Sequence, residues 1–222
     1  MHIHRPTAPR GLREFLSEIG VIVLGILIAL GGEQLVEWGR ARHELTDARR
    51  ALRAELALDA AHLRAMEAEN ACADARLRLL EGWAEGKASF DTRDLASMRN
   101  RPLLWTLPTT AWDVTKSAAV AAHMPLEERL AYAAVYDGLA NQMRHVLDER
   151  QAWDLLARYA GKGVLDPAEA RRLKEDLGQV RIRDDDRRFN TPAILQAIAA
   201  LGLKPSAAPT GRDPRLLCGP PA

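Results

Sequence analysis

The sequence is poor in the residues that build sheets and in the patterns that build catalytic sites. Phe, Tyr and Trp make up 5 % of its 222 residues, and nowhere does an apolar-polar alternation persist over the roughly four to eight positions of a half-buried strand. Sandwiches, barrels and α/β sheets are thereby excluded. No Ser, Thr or Cys stands in a nucleophile motif, and Gly161-Lys162-Gly163 lacks the preceding strand and the spacing of a phosphate loop. An excess of charge is missing too: 31 basic side chains meet 30 acidic ones, a net +1, so the total implies no basic surface for nucleic acid. Proline is absent between Pro9 and Pro102, and nothing there has to break a helix. Cysteine occurs twice, at Cys72 and Cys218. That leaves open one bridge in an oxidising compartment or an ordinary buried thiol at Cys72.

What the sequence does have is an apolar run, Ile19 to Gly32, without one polar side chain. Extended from Phe15 to Val36 it is about 33 Å of helix, enough for a hydrocarbon core of about 30 Å. Ser17, Glu18, Glu33 and Gln34 lie within a turn or two of its ends, where a charge reaches the headgroups, and Trp38 falls at an interfacial position. A cleaved signal peptide is the competing reading, with His2, His4, Arg5, Arg10 and Arg13 as a basic leader and Ala29-Leu30-Gly31 as a cleavage site. The helical pattern continues straight through Glu33, which favours a retained anchor. Arg5, Arg10 and Arg13 before the span nearly balance Arg40, Arg42, Arg49 and Arg50 after it. Orientation then follows the tendency of a leading anchor to export the long domain behind it.

The remaining chain reads as helices. Leu45, Leu52, Leu56, Leu63, Met66, Ala73, Leu77, Leu80 and Ala84 recur at steps of three, four or seven and continue the anchor as one helix to about Trp83, where Gly82, Gly86 and Ser89 break the pattern. Short helices are expected over Thr92 to Met98 and Thr110 to Ala122. Pro125, Pro167 and Pro192 each mark a helix start, with Asp166 and Thr191 as N-caps, giving helices over about 125–160, 167–182 and 192–202. The first carries Leu130, Ala134, Leu139, Met143, Val146, Trp153, Leu156 and Tyr159 on its apolar side; the second carries Ala170, Leu173, Leu177 and Val180. The expected fold is all-α: an N-terminal transmembrane helix continuous with a long helix that packs into an antiparallel bundle. Its parts are a basic tail (1–14), an anchor (15–36), a helical bundle domain (37–203) and a Pro-rich tail (204–222).

Two segments carry a resemblance. Phe15 to Leu30, followed by Glu33-Gln34 and Trp38, resembles the leader of a broad group of uncharacterised bacterial single-pass membrane proteins. Thr109-Thr110-Ala111-Trp112-Asp113 with Lys116-Ser117, then Tyr136, is similar to a second recurring segment of that group. The resemblance spans about residues 12–155. It implies an anchor helix and an all-helical domain, and carries no activity with it.

Candidate sites are few. Asp59 and His62 have a carboxylate-x-x-His spacing, but no second such pair accompanies them, so they read as surface polar residues and no metal site is assigned. His145 and Glu149 read as an ordinary i,i+4 pair. The run Arg181 to Arg188 reads as a solvated, salt-bridged helix end, with a docking patch second. Trp112, Tyr136 and Trp153 could line a ligand pocket between helices, with core packing as the alternative. Glu18, Gly25, Ala29 and Gly32 share one face of the anchor, where small residues let a second membrane helix approach. The expected function is therefore that of a helical interaction or scaffold protein in a bacterial inner membrane, its C-terminal domain periplasmic. Its expected partners are the lipid bilayer and a second copy or another membrane protein. Neither cofactor nor enzyme activity is expected. The alternative is a bundle that senses a small molecule and acts through a partner.

Overall fold

A computed structural model describes residues 11–96 and 101–207. Every regular element among them is helical. Helix α1 runs over Leu12–Ala84, α2 over Thr110–Ser117, α3 over Leu126–Leu155 and α4 over Pro167–Ala200, with 3₁₀ turns at Arg93–Ala96, Ala119–His123 and Leu156–Tyr159. The chain divides into two compact units between Asp47 and Ala48.

In the first unit, α1 is long and apolar enough to cross a membrane, and its most apolar stretch is wholly uncovered. Phe15, Leu16, Val21, Ile22, Leu24, Leu27, Ile28, Leu30, Leu35 and Val36 are all exposed.

In the second unit the rest of α1 does the opposite. Leu52, Leu56, Leu63, Met66, Ala73, Leu77, Leu80 and Ala84 are buried, as their spacing predicts. The helix ends at Ala84, and Gly86 takes φ +70 to turn the chain, its N–H donating to the Trp83 carbonyl.

The path of the chain explains the arrangement of the bundle. From the end of α1 the chain returns along that helix. Leu103 reaches Glu69, Thr106 reaches His62 and Ala111 reaches Glu55, so rising numbers in the returning segment meet falling numbers in α1. Helix α3 can then run parallel to α1, with Glu128 beside Arg49 and Tyr136 beside Leu52. Helix α4 comes back antiparallel to both, placing Arg181 on Glu81, Arg188 on Asp74 and Thr191 on Gln142. Where α1 ends and α3 turns into α4, the Trp83 indole N–H donates to Gly163 O at 2.9 Å and Thr92 Oγ1 donates to Lys162 O at 2.6 Å. Beneath lies a core of Leu77, Leu80, Trp83, Trp153, Leu156, Tyr159, Leu173 and Leu177.

Three expectations fail for one reason. Helix α4 does not stop near residue 182 and restart at Pro192; it is continuous, with Pro192 inside it. Thr191 is no N-cap: it is buried, and its Oγ1 donates back to Arg187 O at 3.0 Å, where Gln142 Nε2 also donates at 2.9 Å. Those donors reinforce the backbone next to the place where proline removes one. Of the apolar side expected over residues 125–160, Leu139, Val146, Trp153, Leu156 and Tyr159 are buried, but Leu130 and Ala134 are exposed, and Tyr132, Val135, Gln142 and Glu149 are buried beside them. In both helices polar side chains occupy core positions, which hydrophobic periodicity cannot register. The Asp166-Pro167 start is as expected. The Asp166 carboxylate accepts from Ala168 N and Glu169 N at 2.8 Å, and Glu169 accepts from Asp166 N. Among the short elements, the segment expected as Thr92 to Met98 is a 3₁₀ turn over its described part, and α2 ends at Ser117.

Candidate functional site

Two polar assemblies are built into the second unit. The first lies where α1, α3 and α4 meet. Arg187, almost fully buried, donates from Nε to Glu149 Oε2 at 2.5 Å and from Nη2 to Asp184 Oδ1 at 2.7 Å and Asn70 Oδ1 at 2.8 Å. Arg188 extends the network to Asp184 at 2.5 Å and Asp74 at 2.8 Å. Two guanidiniums thus face three carboxylates. Burial pushes the Glu149 carboxyl up, against the pull of Arg187, and its Oε1 has no hydrogen-bond partner. The Arg181 to Arg188 run is therefore no helix end but the middle of α4, with Asp184 and Arg187 buried while Ile182 and Asp185 stay exposed. Likewise Glu149 is paired with Arg187, while His145 Nε2 faces Asn141 Nδ2 at 3.2 Å.

The second assembly fastens the returning segment to α1. Glu55, His62, Glu69 and Arg76 recur at intervals of seven and share one face of the helix. Both Glu55 carboxylate oxygens lie 3.1 Å from Ala111 N, capping α2, whose own N-cap Thr109 makes no side-chain cap bond. His62 Nδ1 lies 2.8 Å from Thr106 O, and its ring packs on Trp105 at 5.2 Å. Glu69 accepts from Leu103 N and Trp105 Nε1, each at 3.0 Å. Arg76 lies over the Phe90 ring at 5.6 Å.

Asp59 belongs to a different row of α1. Leu52, Asp59, Met66, Ala73 and Leu80 recur at the same interval of seven and all are buried, so Asp59 is the single acid in an apolar row. It is 0 % exposed, and neither carboxylate oxygen has a hydrogen-bond partner. Burial, aided by the nearby Glu55, pushes its carboxyl up to about 8. The expectation that Asp59 and His62 are surface residues is thus overturned for both. Sequence periodicity held the clue, as a gap in the leucine row at 59 and a polar row at 55, 62, 69 and 76.

The aromatic trio is divided. Trp112 and Tyr136 stack at 5.7 Å with planes 8° apart, whereas Trp153 is seventeen positions along α3 in the Leu77–Leu173 core. Trp153 lines a crevice with Pro102, Leu103, Leu104, Val146, Glu149 and Arg150 whose free volume is about 10 Å³, room for a water and not for a ligand. Glu18, Gly25, Ala29 and Gly32 are exposed, and a Cβ built at Gly25 or Gly32 meets nothing within 4 Å. Cys72 is buried and disulfide-bonded; Cys218 lies outside the described residues. Among those residues no group of three or more His, Cys, Asp or Glu side chains could hold a metal ion. No family model, no curated protein and no solved structure matches the chain.

Proposed function

We propose that the chain is a single-pass, membrane-anchored interaction protein of a bacterial inner membrane that self-associates through its anchor helix. One observation carries this reading: the apolar residues of the first unit are left uncovered, while the same helix buries its leucine stripe fully within the second. Lipid and a partner helix are the two environments that suit such a surface. The face formed by Glu18, Gly25, Ala29 and Gly32 has room for a close helix partner. Substituting Gly25→Ile with Ala29→Ile is expected to weaken self-association in detergent micelles at least tenfold, read by energy transfer between labelled copies. Unchanged association would overturn the role of this face.

The proposed location of the second unit is the periplasm. The disulfide at Cys72 supports an oxidising compartment, and the only other cysteine in the sequence, Cys218, is its proposed partner. A reporter fused after Ala222 is expected to be active in its periplasmic form, with Cys72 resisting alkylation until reductant is added. Cytoplasmic reporter activity would overturn the placement and the bridge together.

A further inference from the structure

Asp59 occupies a core position that leucine, methionine and alanine fill elsewhere in its row. A polar residue at such a position is kept at a cost in stability. Among the described residues the charge that acts on Asp59 is that of Glu55, which opposes its ionisation, while Arg49 and Arg53 act on Tyr132. On its own helix stand Glu55, one turn before, and His62, three positions on, whose Nδ1 is taken by Thr106 O. Helix α3 contributes Tyr136 and Tyr132, and the charges of Glu55 and Asp59 both act on Tyr136. Helix α2 carries Asp113 and Lys116, which are exposed and paired with each other at 2.7 Å. Helix α4 has no titratable residue between Arg188 and Lys204.

Glu55 and Tyr136, the groups whose charges or hydroxyl Asp59 acts on, are fasteners of the returning segment, with His62 one turn further along α1. Glu55 caps α2, His62 holds Thr106, and Tyr136 carries Trp112 in its stack. We propose that Asp59 is a proton-operated latch: protonated, it lets residues 103–112 lie closed on α1, and on losing its proton to solvent it drives that segment and α2 open. Helices α3 and α4 are held together independently, by Arg187, Gln142 and Thr191, so opening is confined to the segment. The face of α1 laid bare would then be the polar row Glu55, His62 and Glu69.

Hydrogen exchange on the full chain in detergent micelles, corrected for the intrinsic pH dependence of exchange, tests this. With one proton released on opening, protection of the amides of Leu103 and Ala111 should fall about tenfold per pH unit from pH 6 to about pH 8 and level off above it. Peptides around Leu139 and Val146, which exchange only on global unfolding, should stay more strongly protected than these amides at every pH. In Asp59→Asn the fall should vanish. In Glu55→Gln, which removes a like charge but keeps an acceptor for Ala111 N, levelling off should begin at lower pH. A pH-independent segment in the native protein, the same fall in Asp59→Asn, or a segment no less protected than the Leu139 peptide would each overturn the latch.

Discussion

Replacing Arg187 with alanine is expected to cost about 3–5 kcal/mol, a large part of the stability of a domain of this size. The side chain is nearly inaccessible to water and joins three helices at once, through Asn70 on α1, Glu149 on α3 and Asp184 on α4. Removing it strands the buried Glu149 carboxylate and leaves Asp184 with Arg188 alone, and the uncompensated charge of Glu149, more than the lost hydrogen bonds, sets the cost. Chemical denaturation followed by circular dichroism would measure it. A companion variant sharpens the test: Arg187→Met combined with Glu149→Leu and Asp184→Leu removes the charges together and should be less destabilised than Arg187→Ala alone. A cost below about 1 kcal/mol for the single change would mean that the network is far more hydrated than its burial indicates.

The second large effect has the opposite sign. Asp59→Asn is expected to stabilise the protein at alkaline pH by roughly 2–5 kcal/mol relative to the native chain, and to leave it little changed near pH 4. Asp59 titrates near 4 in the unfolded chain and at about 8 in the folded one. A raised carboxyl contributes fully below the unfolded value. Its contribution is lost as pH climbs toward the folded value, at up to about 1.4 kcal/mol per unit, and is constant above it. Local opening that exposes the carboxyl would cap the loss below the full linkage. The quantity to measure is the difference in unfolding free energy between variant and native protein at pH 4, 6, 8 and 9. A difference independent of pH would show that Asp59 is solvated in the folded state.

These two sites also explain what the sequence could and could not disclose. Helix α1 was legible because a proline-free stretch with leucine at helical spacing has one economical reading, and Asp166-Pro167-Ala168-Glu169 names its own helix start through local chemistry. The middle of α4 was not legible. Asp184 and Arg187 continue the buried row of Leu173, Leu177 and Val180, yet a charged residue in a core position looks like a charged residue on a surface until its partners are known. Those partners, Glu149 and Asn70, lie 38 and 117 positions away. Trp153 was grouped with Trp112 and Tyr136 by residue type alone, and seventeen positions along a helix amount to about 25 Å. The polar row at 55, 62, 69 and 76 obeys the periodicity used for the leucines, and reading polar residues with that rule would have found it.

The returning segment that makes α1 and α3 parallel also governs when the bundle can form. A helical hairpin closes as soon as its second arm is made, but α1 meets its partners across long stretches of chain: 84 positions from Leu52 to Tyr136 and 114 from Asp74 to Arg188. Contacts so distant in sequence slow folding compared with an up-and-down bundle of the same size. The first helix to be synthesised is thus the last to be enclosed. Until α4 emerges, Leu56, Leu63 and Leu77 stand uncovered on the growing chain, the interval in which a nascent bundle most needs a chaperone.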